Sequence, residues 1–125
     1  MSEEESIVRM YFDAFVRKDR TLMESLLSDD FHFTSPYDDH IDKEEFFERC
    51  WPGADQIESI EILSVGVTDS EVLCHYEVHM KDGTRANNMN SFIIRNDMIV
   101  EQESFFGDPP RGMSRNSFSE FNLEP

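Results

Sequence analysis

Basic residues are scarce in this chain: 11 Lys and Arg stand against 27 Asp and Glu, a net charge of −16 over 125 residues. A field of that sign repels phosphate backbones and anionic lipid surfaces, so neither nucleic acid nor a membrane surface is an expected partner. Cysteine is limited to Cys50 and Cys74. They fall on different expected elements and lack Cys-x-x-Cys spacing, so two reduced, buried thiols are expected instead of a disulfide or a metal site. Glycine and proline number five each, and neither a Gly-rich phosphate loop, a nucleophile elbow nor a zinc signature is present, so no cofactor is expected. No apolar run approaches membrane-spanning length, and the opening Met-Ser-Glu-Glu-Glu is acidic where a signal peptide would be basic and then apolar. The expected location is cytoplasmic.

What the chain has in quantity is aromatic side chains, eleven Phe, three Tyr and one Trp, enough to fill the single core that this length allows and to favour strands. Ser2 with Glu5 makes a capping box, and Ile7, Val8, Met10, Tyr11, Ala14 and Phe15 recur at helical spacing, which predicts a helix from Glu3 to Arg17 with Tyr11 on its inward stripe. A second helix is expected after Asp19 or Thr21, with Leu22, Met23, Leu26 and Leu27 buried and Ser28-Asp29-Asp30 as its stop. A strand then places Phe31, Phe33 and Ser35 on one face and His32 and Thr34 on the other. Pro36 breaks it, and Asp38, Asp39 and His40 are expected on a short loop before Asp42 caps a third helix that runs to Pro52-Gly53.

From Gln56 onward the pattern alternates between turn residues. Four antiparallel strands are expected, at about Ile57 to Val67, Glu71 to Lys81, Thr84 to Arg95 and Met98 to Phe106, with turns at Thr68-Asp69-Ser70, Asp82-Gly83 and Asn96-Asp97. In the second of these, Val72, Cys74, Tyr76, Val78 and Met80 oppose Leu73, His75, Glu77 and His79; alternation defines two faces without saying which one looks inward. Residues 108 to 125 are expected to be a polar tail after a domain spanning 1 to 107.

This order of elements, with Asp29-Asp30-Phe31, Ser35-Pro36, the stretch Asp38-Asp39-His40-Ile41-Asp42 and the ending Phe105-Phe106-Gly107, resembles the SnoaL-like members of the nuclear transport factor 2-like superfamily, relatives of ketosteroid isomerase, scytalone dehydratase and polyketide cyclases. The resemblance implies an α+β, cone-shaped fold: three N-terminal helices on a strongly curved, mostly antiparallel sheet around a cavity, with pairing into a homodimer through the sheet. It places the isomerase's helix-one tyrosine at Tyr11 and its second oxyanion donor at Asn90. The catalytic aspartate before a proline becomes Ser35, which cannot serve as a base unaided, and the acid/base aspartate of the cyclases becomes Ser104. It also puts His75, Glu77, His79, Gln102 and Phe106 at the cavity; Asn88, Phe33 and Trp51 are further candidates for ligand contact, on their residue types alone.

A base would then have to come from Asp38, His40, Glu77 or His79, and Asp38 with His40 is the first choice. A carboxylate beside an imidazole in an aromatic-lined pocket is a matched pair for proton transfer, and Tyr11 with Asn90 would hold the carbonyl oxygen of a small hydrophobic substrate. The expected chemistry is proton abstraction next to a carbonyl, as in an isomerase, cyclase or dehydratase. The alternative, suggested by the absence of both relatives' bases, is a non-catalytic ligand-binding or interaction module. A metal is not expected: His75 and His79, four residues apart on a strand, stand about 13 Å from each other.

Overall fold

A computed structural model describes residues 2–107 of the chain; the expected tail, 108 to 125, lies outside them. Helix α1 (Glu3–Arg17) starts where the Ser2 hydroxyl accepts the Glu5 backbone N–H at 3.0 Å, and ends on Lys18 in the left-handed region at φ 58°. Helix α2 (Arg20–Leu26) is capped by Asp19, which accepts from Leu22 N. It passes straight into strand β1 (Leu27–Ser35), so the expected stop at Ser28-Asp29-Asp30 is instead the start of a strand. Leu27 already pairs with Ile99 there, and that tertiary pairing outweighs the low strand preference of the two aspartates.

The expected loop after Pro36 is likewise a strand, β2 (Asp38–Asp42), antiparallel to β1 with Phe33 opposite Ile41. Asp42 then caps helix α3 (Lys43–Arg49), accepting from Glu45 N at 2.9 Å, and a 3₁₀ turn (Trp51–Gln56) leads to β3 (Ile57–Val67). Strands β4 (Val72–Met80), β5 (Arg85–Arg95) and β6 (Met98–Phe106) complete the meander. Asn96 and Asp97, at φ 52° and 63°, make the two-residue turn with both central residues left-handed that matches the twist of the flanking strands β5 and β6.

The architecture is α+β, one six-stranded sheet in the order β2-β1-β6-β5-β4-β3 that does not close on itself, antiparallel except where β1 runs parallel to β6. Helix α1 lies against the inner face and buries Ile7, Val8, Tyr11, Phe12 and Ala14. Phe12 takes the inward place expected of Met10, which is exposed, because 3.6-residue spacing puts positions 8 and 12 on one line. The apolar row Val72, Cys74, Tyr76 and Val78 faces this helix and the core. In β6 a register shift opposite Ile93 and Ile94 turns Ile99 inward with Gln102 and Ser104, so the expected alternation fails at Val100. No helix among the described residues is long and apolar enough to cross a membrane.

Candidate functional site

Where α1, α3 and the 3₁₀ turn stand off from the inner face of the sheet, they leave a partly open pocket of about 240 Å³. Its helix side is aromatic, with Tyr11, Phe12 and Phe15 from α1 and Phe46 from α3, and Phe33 and Phe106 continue it from β1 and β6. Its sheet side joins a polar belt, Tyr76, Asn88, Asn90, Gln102 and Ser104 from three adjacent strands, to the apolar Ile57, Ile60, Val78 and Met80 of β3 and β4. Register explains the cluster, since Tyr76 pairs with Asn88 and Asn90 with Ser104 across neighbouring strands, so same-face side chains meet.

These groups are joined by hydrogen bonds. The Tyr76 hydroxyl donates to Asn90 Oδ1 at 2.9 Å, the Gln102 amide Nε2 to Ser104 Oγ at 3.4 Å, and the backbone N–H of Gly107 to Asn88 Oδ1 at 3.1 Å. Burial pushes the Tyr76 hydroxyl up to about 12 and holds Tyr11 well above the usual tyrosine range, with Tyr76 adding to the shift at Tyr11. Both phenols are therefore neutral donors at ordinary pH. Burial likewise pushes the Cys50 thiol on the pocket wall up to about 12, with the Asp38 carboxylate adding to the shift; it is a small apolar group there and not a thiolate nucleophile.

Of the fourteen candidates, seven line this pocket: Tyr11, Phe33, Asn88, Asn90, Gln102, Ser104 and Phe106. The others lie elsewhere. His40 sits at φ 53° next to Ile41, and because Ile41 takes the inner face, the imidazole goes outward; it stacks on His32 at 4.1 Å and meets Glu101 at 3.5 Å. Asp38 and His40 are thus not a pair. Asp38 closes the β1–β2 turn: its Oδ2 accepts from Ser35 Oγ at 3.1 Å and faces Cys50 Sγ at 3.9 Å, while Oδ1 lies 2.7 Å from Arg49. Ser35 is taken up by that turn, accepting also from Tyr37 N. Trp51 packs behind the wall on Phe15 and Phe47.

His75, Glu77 and His79 are on the outer face, because the alternate row of β4 carries the apolar side chains that α1 buries. They form a surface ladder in which His75 meets Asn87 Oδ1, Asn87 Nδ2 donates to Glu77, and Glu77 holds His79 at 3.0 Å. Glu61 joins Glu77 and His79 to bring three potential metal-ligand atoms within 4.8 Å of one another, a grouping that cross-strand pairing creates and strand spacing alone does not reveal. Sequence reasoning also missed Tyr76, the centre of the polar wall. Its only signal was membership of the apolar row.

Residues 8–102 match the SnoaL-like domain family, and no curated protein matches the chain. Among solved structures, a protein from Kribbella flavida DSM 17836 is similar with a TM-score of 0.77 at 14% identity, over 92% of this chain and 95% of that one. IdmH from Streptomyces antibioticus, a candidate polyketide cyclase, is similar with a TM-score of 0.72 at 15% identity, over 84% and 92%. A candidate polyketide cyclase from Sinorhizobium meliloti is similar with a TM-score of 0.65 at 21% identity, over 83% and 99%. At these identities the likeness is one of fold.

Proposed function

Because the chain belongs to the SnoaL-like domain family, we propose that it is a small-molecule-binding protein whose ligand, uncharged and largely apolar, occupies the pocket between α1, α3 and the sheet. One observation carries this reading: aromatic rings on one side face a belt of neutral hydrogen-bonding groups on the other, and no carboxylate or imidazole is among the described lining residues. Small-molecule pockets typically begin at about 300 Å³, so a space of about 240 Å³ suits a molecule of one or two rings. A ligand bound only by the folded state raises the melting temperature with concentration. Bicyclic phenols, ketones and hydrocarbons screened by thermal shift should give saturating rises that Ser104→Phe, which fills the pocket, abolishes. Rises that persist in Ser104→Phe would place binding elsewhere.

A catalytic reading rests on a second observation. Asp38 stands one side chain behind the pocket wall, in contact with Cys50 Sγ at 3.9 Å. A displacement of Cys50 would expose that carboxylate to a substrate whose carbonyl oxygen is held by Tyr11 and the Asn90 amide, allowing proton abstraction next to the carbonyl. Deuterium exchange into a bound ketone, lost in Asp38→Asn and slowed in Tyr11→Phe, is the expected sign of an isomerase, cyclase or dehydratase; exchange equal to buffer alone leaves the binding module.

The same proposal includes a homodimer through the outer face of the sheet. Met89 and Phe105, paired across β5 and β6, are 39% and 51% exposed there, an apolar pair that a second copy would cover. Sedimentation should show a dimer that Phe105→Glu converts to monomer, and a wild-type monomer at high concentration would remove this part.

A further inference from the structure

We propose that the outer face of the sheet carries a site for one divalent ion of the zinc class, held by Glu61 of β3 and by Glu77 and His79 of β4. Each of the three offers one donor atom, and the three atoms lie within 4.8 Å of one another. Strand pairing builds the group: Glu61 stands directly opposite Glu77, and Glu77 and His79, two positions apart on β4, share its outward side. None of the three lines the pocket, so the site stands or falls independently of the ligand reading.

Two of the donors already have the spacing that an ion needs. A tetrahedral zinc with bonds of about 2.0–2.2 Å sets its ligand atoms about 3.3–3.6 Å apart. Glu77 Oε1 stands close to that, at 3.0 Å from His79 Nε2. The carboxylate is held in this pose from behind: its other oxygen, Oε2, accepts from Asn87 Nδ2 at 3.2 Å, and Asn87 Oδ1 in turn meets His75 Nε2 at 3.1 Å. Carboxylate ligands of metal centres are oriented by such outer hydrogen bonds. Glu77 and His79 are half-buried, while the exposed Glu61 has the rotamer freedom to close on the ion.

Charge supplies the attraction and the ligand types set the class. Like charges directly opposite on paired strands repel, and Glu61 faces Glu77 in a chain of net charge −16. Among the described residues the ionic partner of Glu77 is the His79 imidazole, and Arg85, opposite His79 on β5, forms no ion pair with either carboxylate. A divalent ion offsets both carboxylates at once. The imidazole nitrogen favours zinc and its neighbours over magnesium and calcium, which take oxygen donors, and water completes the coordination.

The test is calorimetric titration of the full chain, first stripped with a chelator, with zinc chloride and with magnesium chloride. One zinc per chain is expected, bound at least about tenfold more tightly than magnesium. Glu61→Gln and His79→Gln, both on the sheet surface, should each weaken zinc by at least about tenfold. His40→Gln, at the opposite edge of the sheet, should leave it unchanged. Zinc should also raise the melting temperature of the wild type, a rise that His79→Gln abolishes. Zinc affinity that survives both ligand substitutions overturns the proposal, as does equal affinity for magnesium, the mark of diffuse attraction to an acidic surface. A loss in His40→Gln instead places the ion at the His32–His40 stack and overturns it too. So does one zinc per two chains, since the donors would then come from two copies, and so does failure to bind zinc.

Discussion

Phe92→Ala should lower the unfolding free energy by about 3–5 kcal/mol, the cost of deleting a fully buried ring and leaving its cavity. The ring is 0% exposed and meets Tyr11 edge-on at 5.1 Å and Phe12 at 6.1 Å, so it is a contact between β5 and α1. Against the roughly 5–15 kcal/mol that such a domain has in total, this is a large share. Urea titration should show a lower midpoint at unchanged slope. The exposed Met10 on the other side of α1 supplies the control, since Met10→Ala should stay within about 0.5 kcal/mol. A loss below about 1.5 kcal/mol at Phe92 would mean that α1 is not packed on the sheet as described.

Asn90→Leu should cost about 1–3 kcal/mol, because it strands the buried Tyr76 hydroxyl that donates to Asn90 Oδ1 at 2.9 Å. Interactions of the same hydroxyl with Asn88 and Ser104 favour the lower half of that range. Combining it with Tyr76→Phe should recover part of the loss, since two apolar groups leave nothing unpaired, and a double-mutant cycle measures the coupling. Zero coupling would show that the bond is not formed in solution.

The titration of Tyr76 adds a second readout. Its hydroxyl is raised from 10.0 to about 12 in the folded chain, chiefly by burial. Below the unfolded value both states are protonated and the contribution to stability is complete. Between pH 10 and about 12 the unfolded state releases the proton while the folded state keeps it, so stability falls as pH rises. Tyr76→Phe should flatten that part of the stability profile.

The three helix starts could be read from short spacings because each cap is a hydrogen bond over three residues: Ser2 to Glu5, Asp19 to Leu22 and Asp42 to Glu45. The Asn96-Asp97 turn and the bounds of β3 and β6 were readable for a similar reason, local turn chemistry flanked by alternation. The Asp38–Asp42 stretch looked like a loop because its strand character comes from pairing with β1, and β1 in turn reaches β6, some seventy residues away, in a parallel register no short window contains. The candidate site divided along the same line. Tyr11, Asn90, Gln102 and Ser104 were placed by the resemblance and converge on the pocket, while Asp38 and His40, joined only by their closeness in sequence, part company.

The amino-acid sequence by itself determined the caps, the strand periodicities, the aromatic content and the excess of negative charge, all of which depend on residue types and spacings of a few positions. Only the tertiary structure decided which row of β4 is buried, that His40 points away from Asp38, and that Tyr76 organises the polar wall. Those outcomes depend on which strand lies beside which and on where α1 covers the sheet. An alternating strand has two equivalent faces until something packs against one of them.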